Sequence, residues 1–357
     1  MTVNGGREFV FDARLPRVVC GAGALRHLPR ELERLGVVRA LVLSTPGQRA
    51  LGERAAALLG EHAAGVFAGA RMHVPVEVAR AAAAEARRLG ADGAVAIGGG
   101  STTGLGKALA LDPGLPVVAV PTTYAGSEVT SGYGLTEAGL KTTGRDPRVL
   151  PRTVVYDAEL SRSLPMTTSV VSMLNAIAHA AEGLYAPDGN PVIDAMAEAG
   201  IRAGAAALDR LQRDARDLEA RGDALVAAWL CGTVLGHTTI GLHHKLCHTL
   251  GGSFDLPHAE VHAVVLPHAL AYNAPAAPRA MARIAAALGA ASAPVGVFEL
   301  AQRHGAPTRL AAIGMRESDL DRAADLALQN PYPNPRPLER AAVRAMLQNA
   351  YDGVRPD

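Results

Sequence analysis

The chain has 357 residues, of which 49% are hydrophobic and 19% are charged, a balance typical of a globular protein with room for two domains. Its net charge of +1 excludes the basic footprint of a protein that binds nucleic acid or an anionic membrane surface. Three cysteines at unrelated spacings, no secretory signal and no apolar run of transmembrane length predict a cytoplasmic protein without membrane partners.

The first 160 residues alternate short apolar runs with helical patterns, and we assign residues 1–160 to an α/β domain. The predicted strands are Arg17–Cys20, Ala40–Ser44, Ala94–Ile97, Val117–Val120 and Val154–Tyr156. The predicted helices between them are Ala24–Leu35, Gln48–Gly60 and Pro75–Leu89. Alternation of this kind predicts a parallel sheet covered by helices.

Residues 161–357 have helical spacing and few β-branched runs, which predicts an all-α C-terminal domain after a boundary at Ala158–Pro165. The predicted helices are Ser172–Tyr185, Pro191–Leu211, Ala224–Leu235, Leu242–Leu250, Val264–Leu270, Pro278–Ala287, Val295–His304, Glu317–Leu328 and Leu338–Tyr351. The proline-rich segment Asn330–Pro337 cannot be regular helix, so we expect a rigid loop there.

A glycine-rich turn follows the strand at Ala94–Ile97. Gly98, Gly99 and Gly100 lead into Ser101 and Thr102 and then into a predicted helix. Glycines let a ligand approach the backbone closely, and free N–H groups at a helix start attract an anion, so the pattern favours a diphosphate. The spacing is neither the Walker motif nor G-x-G-x-x-G, and a tight turn without a ligand is the alternative.

Other polar side chains follow two further strands of the predicted sheet. Thr122, Thr123 and Ser127 follow Val117–Val120, and Thr45 follows Ala40–Ser44. Ligands of open α/β sheets bind at the carboxyl ends of strands, so these side chains favour a dinucleotide, although capping and turn formation would also explain them. No carboxylate stands beside Thr45 to select NADH, and the choice between NADH and NADPH stays open.

Half of the twelve histidines lie in residues 241–270, where a cluster indicates a metal site or an acid–base site. They are His243, His244, His248, His258, His262 and His268. We regard His262 and His268 as weaker candidates, and we expect His237 and His243 only to pack. The chain has three lysines, Lys107, Lys141 and Lys245, and each lies near one of the motifs, which makes all three candidate site residues.

Helical spacing groups the strongest candidates. Asn175 and His179 are four residues apart, as are His244 and His248, while His258 follows a proline. An aspartate in place of Asn175 would complete a four-ligand metal site with His179, His244 and His258. Asparagine is neutral and a poor ligand for a divalent cation, so we expect no metal.

Five segments between Gly98 and Asn273 carry a family resemblance. They are GGGSTTGLGKA, PTTYAGSEVT, GLKTTGRDPRVLPRTVVYD, NAIAHAAEGLYAP and LHHKLCHTLGGSFDLPHAEVHAVVLPHALAYN. With them the chain resembles the iron-dependent (group III) alcohol dehydrogenase superfamily and, within it, the maleylacetate reductase branch. The resemblance implies the dehydroquinate synthase-like fold, a dinucleotide-binding domain followed by a helical catalytic domain, NADH or NADPH as cofactor, and a homodimer.

The resemblance also implies a substrate and roles. The substrate is a small dicarboxylate, maleylacetate, whose C=C bond is reduced to give 3-oxoadipate. We expect His244 or His248 to donate the proton, with Asn175, His179 and His258 orienting it. Lys245 and Lys141 are candidates for the substrate carboxylates, and Lys141 is alternatively a cofactor contact.

Three alternatives remain open. The first is a reductase of another unsaturated oxo-acid in a biosynthetic pathway. The second is a metal-dependent alcohol or aldehyde dehydrogenase of the same superfamily with an altered ligand set. The third is a non-catalytic dinucleotide sensor, which would have no reason to keep the histidines.

Overall fold

A computed structural model describes residues 8–138 and 140–357, without the side chains of Leu140 and Lys141. The chain divides into two compact units. An α/β unit contains Arg14–Leu164 and Arg216–Leu225. A helical unit contains Pro165–Ala215 and Val226–Asp357, together with the described residues before Arg14.

The α/β unit is built on a parallel sheet, which confirms the predicted fold class. Its strands are β1 (Arg17–Cys20), β2 (Ala40–Leu43), β3 (Ala63–Phe67), β4 (Gly93–Gly98), β5 (Val117–Pro121) and β8 (Thr153–Tyr156). They pair in the order β1-β8-β5-β4-β2-β3, and every pairing is parallel. An antiparallel hairpin of β6 (Gly132–Glu137) and β7 (Leu140–Arg145) forms a separate sheet.

Helices cover both faces of the parallel sheet. They are α1 (Leu28–Arg34), α2 (Arg49–Leu59), α3 (Val76–Leu89) and α4 (Gly100–Leu111). Side chains alternate along each strand, so Val42 and Val95 pack with α1 and α2, while Leu43 and Ala96 pack with α3 and α4. Two buried faces explain why the central strands are continuously apolar.

The strand β3 and the hairpin were absent from the sequence prediction. The β3 sequence, AAGVF, has too few β-branched residues to signal a strand, and each of its residues is only half-buried at the sheet edge. The hairpin strands, GYGLTE and LKTTGR, are rich in glycine and polar residues. Both elements depend on pairing with a neighbouring strand more than on local propensity.

The helical unit confirms the predicted change to all-helical structure. Its helices are α5 (Met166–Gly183), α6 (Pro191–Arg213), α7 (Leu218–His237), α8 (Leu242–Phe254), α9 (His258–Asn273), α10 (Pro278–Leu288), α11 (Ala293–Arg303), α12 (Leu320–Leu328) and α13 (Arg340–Asp352). The first residues of α7 are counted with the α/β unit. The helix α9 begins six residues before the predicted start at Val264 and continues through Pro267.

The prediction that no apolar run is long enough to span a membrane was wrong for one stretch of the chain. Within the described residues, α10 and α11 together span 26 residues that are long and apolar enough to cross a membrane by length and composition. However, 56% of the most apolar window is buried inside the protein, as in the core helices of soluble proteins, so the stretch is weak support for a membrane span.

Candidate active site

The topology of the α/β unit brings two of the predicted polar segments to one crevice. From β2 the chain passes through α2 to β3 on one side, and from β4 it passes through α4 to β5 on the other. The carboxyl ends of the adjacent strands β2 and β4 therefore mark the topological switch point, where open α/β sheets bind ligands. Thr45 follows β2 there, and the three-glycine turn follows β4.

The three glycines of this turn differ in how much space the structure leaves for a side chain. Gly98 has a φ of 144°, and a Cβ on it would lie 2.6 Å from Oε1 of Gln48. A Cβ on Gly99 would lie 3.1 Å from Cγ2 of Thr123. A Cβ on Gly100, the first residue of α4, would meet no atom within 4 Å. The fold therefore requires glycine at residue 98, whereas the backbone at residue 100 borders open space at a helix N-terminus.

Gln48 also lies in this crevice, although it was not among the predicted site residues. Its Nε2 donates to Oγ1 of Thr122 at 3.2 Å, and its Oε1 lies 3.4 Å from Oγ1 of Thr45. The hydroxyl of Thr102 donates to the carbonyl oxygen of Gly99 at 2.7 Å. These contacts bring the predicted residues Thr45 and Thr122 together beside the glycine turn. They also give Thr102 a role in closing that turn.

Lys107 has a structural role. Its Nζ donates to the carbonyl oxygens of Ser127 at 2.7 Å and Gly132 at 2.6 Å, and to Oγ1 of Thr130 at 2.9 Å. Burial lowers the pKa of Lys107 to about 7. Because all three donors are used, Lys107 fastens α4 to the loop that contains Ser127. The side chain of Lys141, the other lysine considered for this region, lies outside the described residues.

The helical unit brings six histidines into one ring-packed group, which we call the histidine cluster. Its members are His179 on α5, His243, His244 and His248 on α8, and His258 and His262 on α9. His179 stacks on His244 with ring centroids 5.0 Å apart, and His248 is stacked parallel to His258 at 6.5 Å. The structure therefore brings together the four strongest predicted candidates. It adds two histidines to them: His262, a weaker candidate, and His243, which was expected only to pack.

His262 lies at the centre of the cluster. Its ring centroid is 4.5 Å from that of His258, 4.9 Å from His243 and 5.1 Å from His244. The true start of α9 at His258 places His262 one turn later on the same helix face. The predicted helix began after both residues, so their spacing was not recognised. His237, in contrast, lies beside Phe11, and its Nδ1 is 2.8 Å from the carbonyl oxygen of Thr233.

Several polar atoms of the histidine cluster, and one of Asn175, are buried without a hydrogen-bond partner in the described structure. They are Oδ1 of Asn175, Nδ1 of His179, Nε2 of His244, and both ring nitrogens of His262. Buried polar atoms are costly unless they are paired, so such a group marks a position where a polar ligand would be stabilised. Asn175 is only 7% exposed and lies one helical turn before His179 on α5.

Burial keeps most of these rings neutral. Desolvation, with the repulsion of neighbouring imidazoles, holds the pKa values of His179 and His262 well below the usual value for histidine. The same causes lower the pKa of His243 to about 4. Desolvation disfavours the charged form, and each added proton would repel the others. The cluster therefore cannot carry many protons at neutral pH.

Glu182 is a site residue that the sequence analysis missed. It is 1% exposed, and its Oε2 accepts a 2.6 Å hydrogen bond from Nδ1 of His244. Burial raises the pKa of Glu182, but the charge of His244 and its hydrogen bond outweigh this effect and lower the pKa to about 2. Glu182 follows Asn175 by seven residues and His179 by three, so it shares their helix face, but this spacing alone does not distinguish it from other glutamates on helices.

The open side of the cluster carries a second missed residue, Tyr332. Its hydroxyl lies 3.1 Å from Nδ1 of His248, and its ring centroid is 5.6 Å from Nζ of Lys245. Both His248 and Lys245 are half-buried, in contrast to the enclosed His244. Tyr332 lies in the predicted proline-rich loop, which has no helical relation to α8, and no sequence pattern connects them.

The family models match both parts of the chain. The model described as iron-containing alcohol dehydrogenase matches residues 16–158, and the model described as Fe-containing alcohol dehydrogenase family, C-terminal, matches residues 169–351. Together they cover nearly the whole chain, including the glycine turn and the histidine cluster. The chain belongs to the iron-containing alcohol dehydrogenase family.

Individual relatives give a narrower assignment. Maleylacetate reductase of Burkholderia cepacia is 66% identical over 348 residues, covering 98% of this chain and 99% of that enzyme. Maleylacetate reductase of Pseudomonas knackmussii is 56% identical, with the same coverage. The crystal structure of maleylacetate reductase from Agrobacterium tumefaciens has a TM-score of 0.95 and 53% identity, covering 98% of this chain and 100% of that one. These matches confirm the resemblance to the maleylacetate reductase branch.

Proposed function

We propose that this chain is an oxidoreductase that reduces the C=C bond of maleylacetate to give 3-oxoadipate, with NADH or NADPH as cofactor. The observation that carries the proposal is the buried histidine cluster with its unpartnered nitrogens, in a chain 66% identical to a maleylacetate reductase. Such a cluster offers ring N–H donors and a proton donor for a substrate with a ketone and two carboxylates.

The α/β unit supplies a fitting cradle for the cofactor. We assign the diphosphate to the turn of Gly98–Gly100 and Ser101, where the N-terminus of α4 would face it. Thr45, Thr122 and Thr123 would line the same crevice, with Thr102, Ser127 and Lys141 as the remaining predicted contacts. When bound, the reduced nicotinamide supplies the hydride.

The histidine cluster would perform the rest of the reaction. Hydride is accepted at the alkene carbon β to the ketone, and negative charge develops on the ketone oxygen as an enolate. A ring N–H of the cluster would stabilise this oxygen, and an imidazolium would deliver a proton to the α carbon. Asn175, His179 and His258 orient the donor. Lys245, half-buried on the open side, is suited to bind a substrate carboxylate.

The donor set does not fit the four-ligand metal site of the metal-dependent relatives. The four candidate ligands at these positions are all uncharged side chains, Asn175, His179, His244 and His258. The carboxylate of Glu182 already accepts a hydrogen bond from Nδ1 of His244. A tighter triad, His243, His244 and His262, has ring nitrogens within 4.8 Å of one another. However, this triad contains no anionic ligand, and Nδ1 of His244 and Nε2 of His243 already have polar partners in Glu182 and the carbonyl oxygen of His262. We therefore propose catalysis without metal.

Prolonged chelation should leave the rate nearly unchanged. The physical reason is that the chain lacks an anionic ligand at Asn175, so the reaction depends on imidazoles. The measurement is the turnover rate before and after dialysis against EDTA, with total metal determined in both samples. Loss of activity that Fe²⁺ or Zn²⁺ restores would contradict the proposal.

We further propose a cytoplasmic homodimer that acts on a small-molecule dicarboxylate, without nucleic-acid or membrane partners. The net charge of +1 and the free thiols of Cys20, Cys231 and Cys247 support the location and the lack of nucleic-acid partners. The dimer rests on the family resemblance.

The proposed function is tested by following NAD(P)H oxidation with maleylacetate and, separately, with simple aldehydes. We expect turnover with maleylacetate and at most weak turnover with the aldehydes. The reverse preference would support the alcohol or aldehyde dehydrogenase alternative.

A further inference from the structure

The sequence leaves open whether His244 or His248 donates the proton. We propose that Glu182 is a positioning residue that holds His244 with its Nε2 toward the substrate and thereby makes His244 the proton donor. This inference rests on the proposed function, because it assigns a role within that reaction. It adds a residue outside the predicted site to the catalytic machinery.

The hydrogen bonds of Glu182 hold its carboxylate in one orientation. Oε2 accepts from Nδ1 of His244 at 2.6 Å and from the backbone N–H of Gly241 at 2.9 Å. Oε1 accepts from the backbone N–H of His243 at 2.9 Å and lies 3.3 Å from the hydroxyl of Tyr185. Because both oxygens are anchored at the start of α8, the carboxylate cannot rotate away from His244.

The anchored carboxylate determines which nitrogen of His244 can react. Nδ1 carries the proton that is donated to Glu182, so Nε2 is the nitrogen left for a substrate. Nε2 is buried and has no partner within the described residues, and its ring lies against His179 and His262. A carboxylate that fixes the tautomer and orientation of an imidazole has the same role in serine hydrolases.

The partners of the two rings also favour His244 over His248 as the donor. The carboxylate of Glu182 lies 2.6 Å from Nδ1 of His244 and fixes the orientation of the ring. The groups facing His244 from the packed helices are His179 on α5, His243 and His248 on α8, and His262 on α9. All four are imidazoles, so the carboxylate against His244 is that of Glu182. Nδ1 of His248 lies 3.1 Å from the hydroxyl of Tyr332.

The proton transfer balances without another reactant. His244 begins with protons on both ring nitrogens. The N–H bond at Nε2 breaks and a C–H bond forms at the α carbon of the enolate, leaving neutral His244 with Nδ1–H still bonded to Glu182. A proton from solvent then restores Nε2–H before the next turnover.

The test is Glu182→Gln, which keeps the shape of the side chain and removes its charge. We expect kcat with maleylacetate to fall by roughly 10²-fold or more, while KM and NAD(P)H affinity change little. Tyr185→Phe is the matched control, with a small expected effect on kcat, because it removes a hydroxyl that lies 3.3 Å from Oε1 of Glu182 and also contacts Asn273, while the carboxylate and its bond to His244 stay in place.

A second measurement needs no substrate. A proton shared between Nδ1 of His244 and Glu182 should give a far-downfield NMR resonance in wild-type protein, absent in both His244→Ala and Glu182→Gln. A folded Glu182→Gln protein with wild-type kcat would overturn the inference, as would a far-downfield resonance that persists in this variant. If wild-type protein failed to reduce maleylacetate, that result would count against the proposed function and would leave the positioning role of Glu182 to be tested by NMR. Absence of the far-downfield resonance from wild-type protein would then overturn the positioning role.

Discussion

His244→Ala should lower kcat with maleylacetate by about 10²- to 10⁴-fold, the usual contribution of a positioned acid or base. The reason is that the variant removes the nitrogen that Glu182 directs toward the substrate, and with it the imidazolium. NAD(P)H affinity should hardly change, because the proposed cofactor contacts all lie in the α/β unit. The measurements are steady-state kinetics over a range of pH and fluorescence titration of the cofactor.

Two variants separate the proposed donor from its neighbours. His248→Ala should also lower kcat, but its pH profile should keep the alkaline limb that His244→Ala loses. His237→Ala is the control, since its ring lies against Phe11 outside the histidine cluster, and it should cost little in rate. Near wild-type turnover of His244→Ala would contradict the assignment. So would a loss that a thermal melt of the same sample attributes wholly to unfolding.

Gly100→Val should weaken NAD(P)H binding by roughly 100-fold or more while the protein remains folded. A valine side chain would fill the space that the diphosphate needs, and a Cβ at this position meets no protein atom within 4 Å. Gly99→Val should weaken binding as well. It is a less decisive change, because a Cβ there would come 3.1 Å from Thr123 and could disturb the fold.

Gly222→Val is the matched control for Gly100→Val. Gly222 is also a helical glycine whose Cβ would meet nothing within 4 Å, and it lies in α7, outside the proposed phosphate turn. Fluorescence titration should show unchanged NAD(P)H affinity for this variant. Unchanged affinity of Gly100→Val would contradict the assigned turn, and equal weakening in both variants would indicate a general effect of valine on the helices.

The parts of the fold that could be predicted have strong local signals. The central strands are continuously apolar because both faces of the sheet are buried, and glycine at residue 98 is required by a φ of 144°. Asn175 with His179, and His244 with His248, were recognisable because one helical turn separates the members of each pair. In contrast, β3 and the hairpin are stabilised by their strand neighbours, so their own sequences carry little signal.

The missed site residues show a limit of another kind. Glu182 shares a helix face with His179, but a glutamate on a helix is so common that only its burial distinguishes it. Gln48 and Tyr332 meet their partners, Thr122 and His248, across 74 and 84 residues of chain. Contacts of this kind arise from the tertiary fold, so no spacing rule could have identified them.

The most direct test of the proposed chemistry is the position of the transferred hydride. Wild-type protein is incubated with maleylacetate and NADH or NADPH that carries deuterium at the transferring carbon, and the product is identified by NMR and mass spectrometry. We predict 3-oxoadipate with deuterium at the carbon β to the ketone and the ketone intact. Deuterium on a carbinol carbon, or no oxidation of the cofactor with maleylacetate, would contradict reduction of the C=C bond.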